Sequence, residues 1–152
     1  MRYHSIAGDI VEDRTLANNE VYKNLLKPKG TYTSHITFNY NSSKIRDRRE
    51  AKKIKNAILA ILRKNPNARF SITGHSSSEG SYWYNKRLSQ KRAESLERFI
   101  GKVGYISVFS KGESELICID GRLPYRDRNN NYHCKGGEDK RASRRVVFKR
   151  ID

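Results

Sequence analysis

No stretch of the chain approaches the roughly eighteen consecutive apolar residues that a membrane-spanning helix needs. The opening MRYHSIAGDIVEDR also lacks the apolar centre of a signal peptide, because Asp9, Glu12, Asp13 and Arg14 interrupt it. The expectation is either a protein that stays inside the cell or a piece cut from a longer, exported chain. Cysteine is scarce too: Cys118 and Cys134 fall in one polar, loop-like stretch. A disulfide between them would contribute about 3 kcal/mol and imply an oxidising compartment, whereas two free surface thiols would fit the cytosol. The disulfide is the favoured reading. His4, His35, His75 and His133 are scattered, and His133 and Cys134 with Cys118 have neither the spacing nor the ligand number of a structural zinc site. No metal and no cofactor are expected. A G-x-S-x-G elbow, a P-loop and an H-E-x-x-H helix are all missing, and Ser76, Ser77 and Ser78 have no evident histidine and acid partners, which argues against an enzyme. Acidic residues number 16 against 32 Lys and Arg, leaving a net charge of +16. Such a field attracts nucleic acid, anionic lipid headgroups or an acidic wall polymer, and charge alone does not choose among them.

What is present suits one folded domain, since 152 residues allow one core and not two. Residues 1–30 are weakly patterned and end in KPKG, whose Pro28 and Gly30 mark a break, so they read as a linker or accessory segment. TYTSHITFNY alternates as a half-buried strand does. NSS supplies helix caps before a basic stretch in which Ile54, Ala57, Ile58, Ile61 and Leu62 recur at helical spacing until Asn65 and Pro66. ARFSITG reads as a second strand, NKRLSQKRAESLERFIGKVG as a second helix closed by Gly101, and YISVFS as a third strand. A Gly, Asn and charge-rich insertion at about 115–140 should be mostly loop, and RRVVFKRI closes the chain as a strand. The expected class is α/β, a mixed sheet with helices on one face.

One helix position breaks the pattern. At about 100° per residue Leu88, Leu96 and Phe99 form a stripe on the second helix, and Arg92 falls within it, with Asn85 on the same line a turn before Leu88. A guanidinium there must be paired or face a wet cleft. One reading has Arg92 snorkelling to a carboxylate such as Glu79 or capping loop carbonyls. The other has it offering its planar fork to a ligand carboxylate, with Ser76, Ser77 and Ser78 of the preceding loop supplying hydroxyls.

GHSSSEGSYWYNKRLSQKRA resembles the signature of the OmpA-like C-terminal domain, a peptidoglycan-associating module. The matching positions are Gly74, His75, Gly80, Asn85, Leu88, Ser89, Arg92 and Ala93. ITFNYNSSKI, KGESE and SRRV extend the likeness over residues 33–151. The resemblance implies a β-α-β-α-β-β fold over 31–152 and a non-catalytic grip on the peptidoglycan stem peptide, centred on diaminopimelate. Carried over, Arg92 would pair with the ligand carboxylate and Asn85 would support it, in a cleft between the loop, the helix start and the Arg144 and Arg145 strand. The family's loop aspartate, which holds the ligand ammonium, is Ser77 here, and Glu79 stands two residues on as a substitute. The asparagine before the paired arginines is Ser143. The implied setting is periplasmic, within a longer membrane-anchored protein.

Other features carry plainer alternatives. His75 is expected to position the loop beneath the pocket. Tyr82, Trp83 and Tyr84 would flank a sugar or a base, or else staple the helix start. RDRREAKKIKN and KRASRR read as solvated basic faces; in a competing reading the domain no longer holds diaminopimelate and binds nucleic acid or another polyanion. In a third, it is a scaffold whose insertion contacts another envelope protein.

Overall fold

The computed structural model describes residues 16–152. The opening segment MRYHSIAGDIVEDR, on which the signal-peptide expectation rests, lies outside them. Helix α1 (Glu20–Leu25) is capped by Asn19, whose side chain accepts from the Tyr22 amide. Its Val21 and Leu25 are fully buried in the main core. The segment before residue 31 therefore supplies core surface from α1.

Strand β1 (Thr31–Ser34) is shorter than the alternation through Tyr40 predicts. The Ser34 hydroxyl explains why: it accepts from the Ile36 amide and donates to Glu50, a local turn that competes with the ladder. Phe38 and Ile45 then bridge across a tight loop, in which Asn41 has φ 55° and Ser42 donates its amide to Asn39. The NSS segment is thus a turn and not a helix cap. Helix α2 (Arg48–Lys64) starts later, on Asp47, whose carboxylate accepts from the Glu50 amide. Ile54, Ala57, Ile58 and Ile61 of α2 are buried as the spacing predicts, Leu62 is half-buried, and Ala51 and Ala60 join the buried residues.

Strand β2 (Arg69–His75) leads into helix α3 (Tyr82–Ile100), capped by Ser81 and closed by Gly101 at φ 101°. Strand β3 (Tyr105–Gly112) follows. The insertion contains a small hairpin, β4 (Tyr125–Arg126) paired with β5 (Tyr132–His133), and ends in the single-turn helix α4 (Lys140–Ser143) before β6 (Val146–Arg150). Cys118 and Cys134 are disulfide-bonded, with Cα atoms 5.4 Å apart.

The four-stranded sheet has the order β1-β6-β2-β3. β6 is antiparallel to both neighbours and β2 is parallel to β3, so the sheet is mixed, as expected. Phe70, Ile72, Val146 and Phe148 bury their side chains with those of α1, α2 and α3 in one cluster. On β3, by contrast, Tyr105 and Phe109 stay about half exposed.

Helix α3 sits on the sheet in a way its hydrophobic pattern does not announce. Its buried residues are Asn85, Ser89, Ala93, Leu96 and Ile100, while Leu88, Arg92 and Phe99 are half-buried. The buried stripe is rotated by about 60° from the one the apolar residues define, at about 100° per residue. Close approach is the cause: a Cβ on Gly74 would fall 2.2 Å from the Ser89 carbonyl oxygen. Only small side chains fit between that turn of α3 and β2. Arg92 therefore flanks the buried stripe and does not stand at its centre.

Candidate functional site

The loop that joins β2 to α3 is suspended between two strands. The His75 amide donates to the Arg145 carbonyl at 2.9 Å and the Ser76 amide to the Gly112 carbonyl at 2.8 Å. Ser77 is buried, its hydroxyl 3.5 Å from Glu79. Ser78 directs its amide and hydroxyl to the Glu138 carboxylate of the insertion, at 3.1 and 2.5 Å. Glu79 forms an ion pair with Arg144 at 3.2 Å and a longer one with Lys140 at 3.6 Å. The loop's carboxylate is thus already matched by two cations.

His75 is buried, and its Nδ1 has no hydrogen-bond partner among the described residues, nor does the Ser76 hydroxyl. Burial, reinforced by the charges of Arg145 and Lys111, pushes the imidazole down to about 4. Glu115 lies 3.8 Å away but is half exposed, too distant and too hydrated to hold a proton on the ring. His75 is a neutral packing residue at the root of the loop. Arg145 donates to the carbonyls of Ser143 and Glu115, and burial lowers its pKa, an effect the Glu115 charge partly offsets.

Asn85 points into the protein. Its amide donates to Glu113 at 2.9 Å, and the second oxygen of that fully buried carboxylate accepts the Tyr132 amide at 2.7 Å. The Ser89 and Ser110 hydroxyls are hydrogen-bonded at 2.6 Å, fixing α3 against β3.

Arg92 is half-buried. Its Nε donates to the Ser42 carbonyl at 2.9 Å, and its Cζ lies 5.0 Å from the centre of the Phe38 ring. No other hydrogen bond to the guanidinium is formed among the described residues. Burial lowers its pKa; Tyr84 counters this and Arg144 adds to it, so both groups lie within its electrostatic reach. Next to Arg92, the turn of Asn41, Ser42 and Ser43 forms one wall of an open cavity of about 330 Å³. Tyr84, Arg87, Leu88 and Lys91 of α3 form the other. The size suits a small ligand or one residue of a polymer.

The structure gathers some expected site residues and separates others. Leu88 lines the cavity, Arg92 braces the Ser42 wall, and Glu79 and Arg144 are joined as an ion pair. Ser76, Ser77, Asn85 and Arg145 are engaged in or buried within the framework beside them. The cavity walls at Asn41, Ser42, Ser43, Arg87 and Lys91 were not foreseen, because NSS reads as a helix cap and exposed lysines and arginines read as solvated surface. The one usable signal was Asn41, Ser42 and Ser43 following an alternating run that ends in Tyr40.

Comparison with known proteins follows the same lines. The profile described as OmpA family matches residues 37–124, more than half of the chain. The peptidoglycan-associated lipoprotein from Burkholderia pseudomallei superposes with a TM-score of 0.55 at 20% identity, covering 76% of this chain and 87% of that one. The periplasmic domain of MotB from Helicobacter pylori gives 0.55 at 14%, covering 82% and 77%. A putative MotB-like protein from Desulfovibrio vulgaris gives 0.55 at 13%, covering 93% and 91%. At such identities the superpositions establish the fold. Among curated proteins none matches the chain in sequence.

Proposed function

Because the chain belongs to the OmpA family, a fold that binds and does not catalyse, we propose that it grips peptidoglycan non-covalently and anchors an envelope protein or complex to the cell wall. The observation that carries this reading is Arg92. Among the described residues its guanidinium is bonded through Nε to the carbonyl of Ser42 in the cavity wall, and its two Nη groups would form a fork around a carboxylate of the stem peptide, such as that of diaminopimelate. Leu88 and Tyr84 would take the apolar part of the ligand, and Arg87 and Lys91 would add long-range attraction to an anionic wall. The setting is periplasmic, within a longer membrane-anchored protein. Among the described residues no helix is long and apolar enough to cross a membrane.

The test is a pull-down on purified sacculi at physiological salt, with free diaminopimelate as competitor and Arg92→Ala alongside. Binding displaced by the competitor and lost with Arg92 supports the stem-peptide reading. Competitor-insensitive binding removes it.

A second reading draws on Ser77 and Glu79. Ser77 brings no charge, and Glu79 is neutralised by Arg144 and Lys140, so a ligand ammonium meets no unpaired carboxylate in this loop. In that reading the domain has given up diaminopimelate and serves as a scaffold for another envelope protein or as a polyanion-binding module. It predicts binding to a nucleic acid or acidic polymer that falls steeply with salt and ignores Arg92→Ala.

A further inference from the structure

The three aromatic residues that open α3 divide between two places. Tyr84 lines the cavity, whereas Tyr82 stacks on the disulfide-closed hairpin and carries Trp83 at its edge. The Tyr82 ring lies edge-on to Trp83 with centroids 5.0 Å apart, and it stacks on Tyr132 of β5 at 6.1 Å. The Arg126 guanidinium of β4 lies over the same Tyr132 ring at 5.8 Å. This row is fixed from both sides. Ser81 caps the helix, the Glu113 carboxylate holds the Tyr132 amide, and the Cys118 to Cys134 bond closes the insertion. Trp83 nevertheless remains 66% exposed. An indole left open to water one residue before Tyr84 of the cavity wall, and braced at its edge by Tyr82, is arranged to cover something apolar and flat.

We propose that Trp83, buttressed by Tyr82 and Tyr132, is a platform for the glycan strand of peptidoglycan, whose N-acetyl sugar rings lie against the exposed indole while the attached peptide reaches the cavity. The inference rests on the peptidoglycan reading and extends it from peptide to sugar. A pyranose ring carries C–H bonds on its faces and hydroxyls around its rim. The faces match aromatic rings, and the rim matches the phenol and guanidinium groups at the edge of the row. A peptide is linked to its sugar, so a site for both must be continuous. Here the adjacent residues Trp83 and Tyr84 serve the two halves. Nucleic acid bases stack on aromatic rings as well, but they bring phosphates that need a cationic groove. The row has Arg126 already engaged with Tyr132 and the Asp127 carboxylate next to it in sequence, paired with His133 at 2.7 Å. The densest basic run, Arg46 to Lys55, belongs mainly to α2.

Trp83 is the single tryptophan of the sequence, so its emission reports on the platform directly. The intact protein would be titrated with peptide-free glycan strands released from sacculi by an amidase. The expected result is a saturable blue shift, with strand binding on immobilised glycan about tenfold weaker in Trp83→Ala and restored in Trp83→Phe. No emission change, together with parental sacculus binding by Trp83→Ala, would overturn the platform. So would a shift produced equally by single-stranded DNA and lost at high salt, or one produced by anionic vesicles. Strand binding without competition by diaminopimelate at sacculi would keep the platform and remove the stem-peptide site. The opposite pattern would keep that site and remove the platform.

Discussion

Asn85 on α3 and Glu113 after β3 share a buried hydrogen bond of 2.9 Å, and the same carboxylate holds the backbone of Tyr132. One buried carboxylate therefore ties the start of α3 to the insertion hairpin. Removing its side-chain partner leaves a charge short of a donor away from water. Asn85→Ala is expected to destabilise the domain by about 1–3 kcal/mol in chemical denaturation, and Asn85→Asp by more, since it sets two carboxylates together. Parental stability in Asn85→Ala would mean that the pair contributes nothing.

Replacing Arg92 is expected to separate binding from folding. Its bond to the Ser42 carbonyl is a single, half-buried one, so Arg92→Ala should cost only about 1 kcal/mol of stability. Sacculus affinity should fall further, by about 1.5–3 kcal/mol or roughly 10–150-fold, the usual contribution of a hydrogen bond to a charged group. A variant that unfolds would assign the residue to structure alone.

The disulfide closes a loop between cysteines 16 residues apart. Reduction, or Cys134→Ser, should lower unfolding stability by about 3 kcal/mol through the added freedom of the unfolded chain. The measurement is a pair of denaturant titrations with and without reductant. Coincident curves would refute a stabilising role.

His75 gives the domain a defined acid sensitivity. Its imidazole titrates near 6.5 when unfolded but only at about 4 in the fold. Above pH 6.5 both states are neutral and the native state loses nothing. As pH falls below that value the unfolded chain takes up a proton that the native state refuses, so stability declines at up to about 1.4 kcal/mol per pH unit until pH 4, where the native ring protonates too. His75→Asn should flatten this part of the stability profile. An unchanged slope would assign the sensitivity elsewhere.

The order of strands and helices was legible because Ile54, Ala57, Ile58 and Ile61 repeat as a helix does, and Phe70 and Ile72 alternate as a strand does. The family motif pointed to the same end of the sheet. What hydropathy misplaced was the orientation of α3, where Asn85, Ser89 and Ala93 occupy the interface because Gly74 brings β2 so close. Polarity suggests exposure for such residues, whereas packing distance demands smallness. The cavity was hidden for a related reason. Its wall at Ser42 is set by a backbone carbonyl, which every residue possesses and no side-chain pattern reveals. The aromatic row escaped because Tyr82 and Tyr132 are fifty residues apart in sequence and meet only through the folded insertion.

The register of β6 has a mechanical consequence. Ser34 pairs with Val146 and Gly74 with Val146 at the end of the sheet that carries the loop of His75, while Thr31 pairs with Lys149 and Phe70 with Arg150 at the other. Arg150 reinforces that far end by donating to the Leu26 carbonyl at 2.8 Å. A pull on the segment before Thr31, resisted by wall material held at the cavity, would run along the strands. The β1 to β6 ladder would then be loaded in shear, with its hydrogen bonds sharing the force at once instead of parting one by one like a zip.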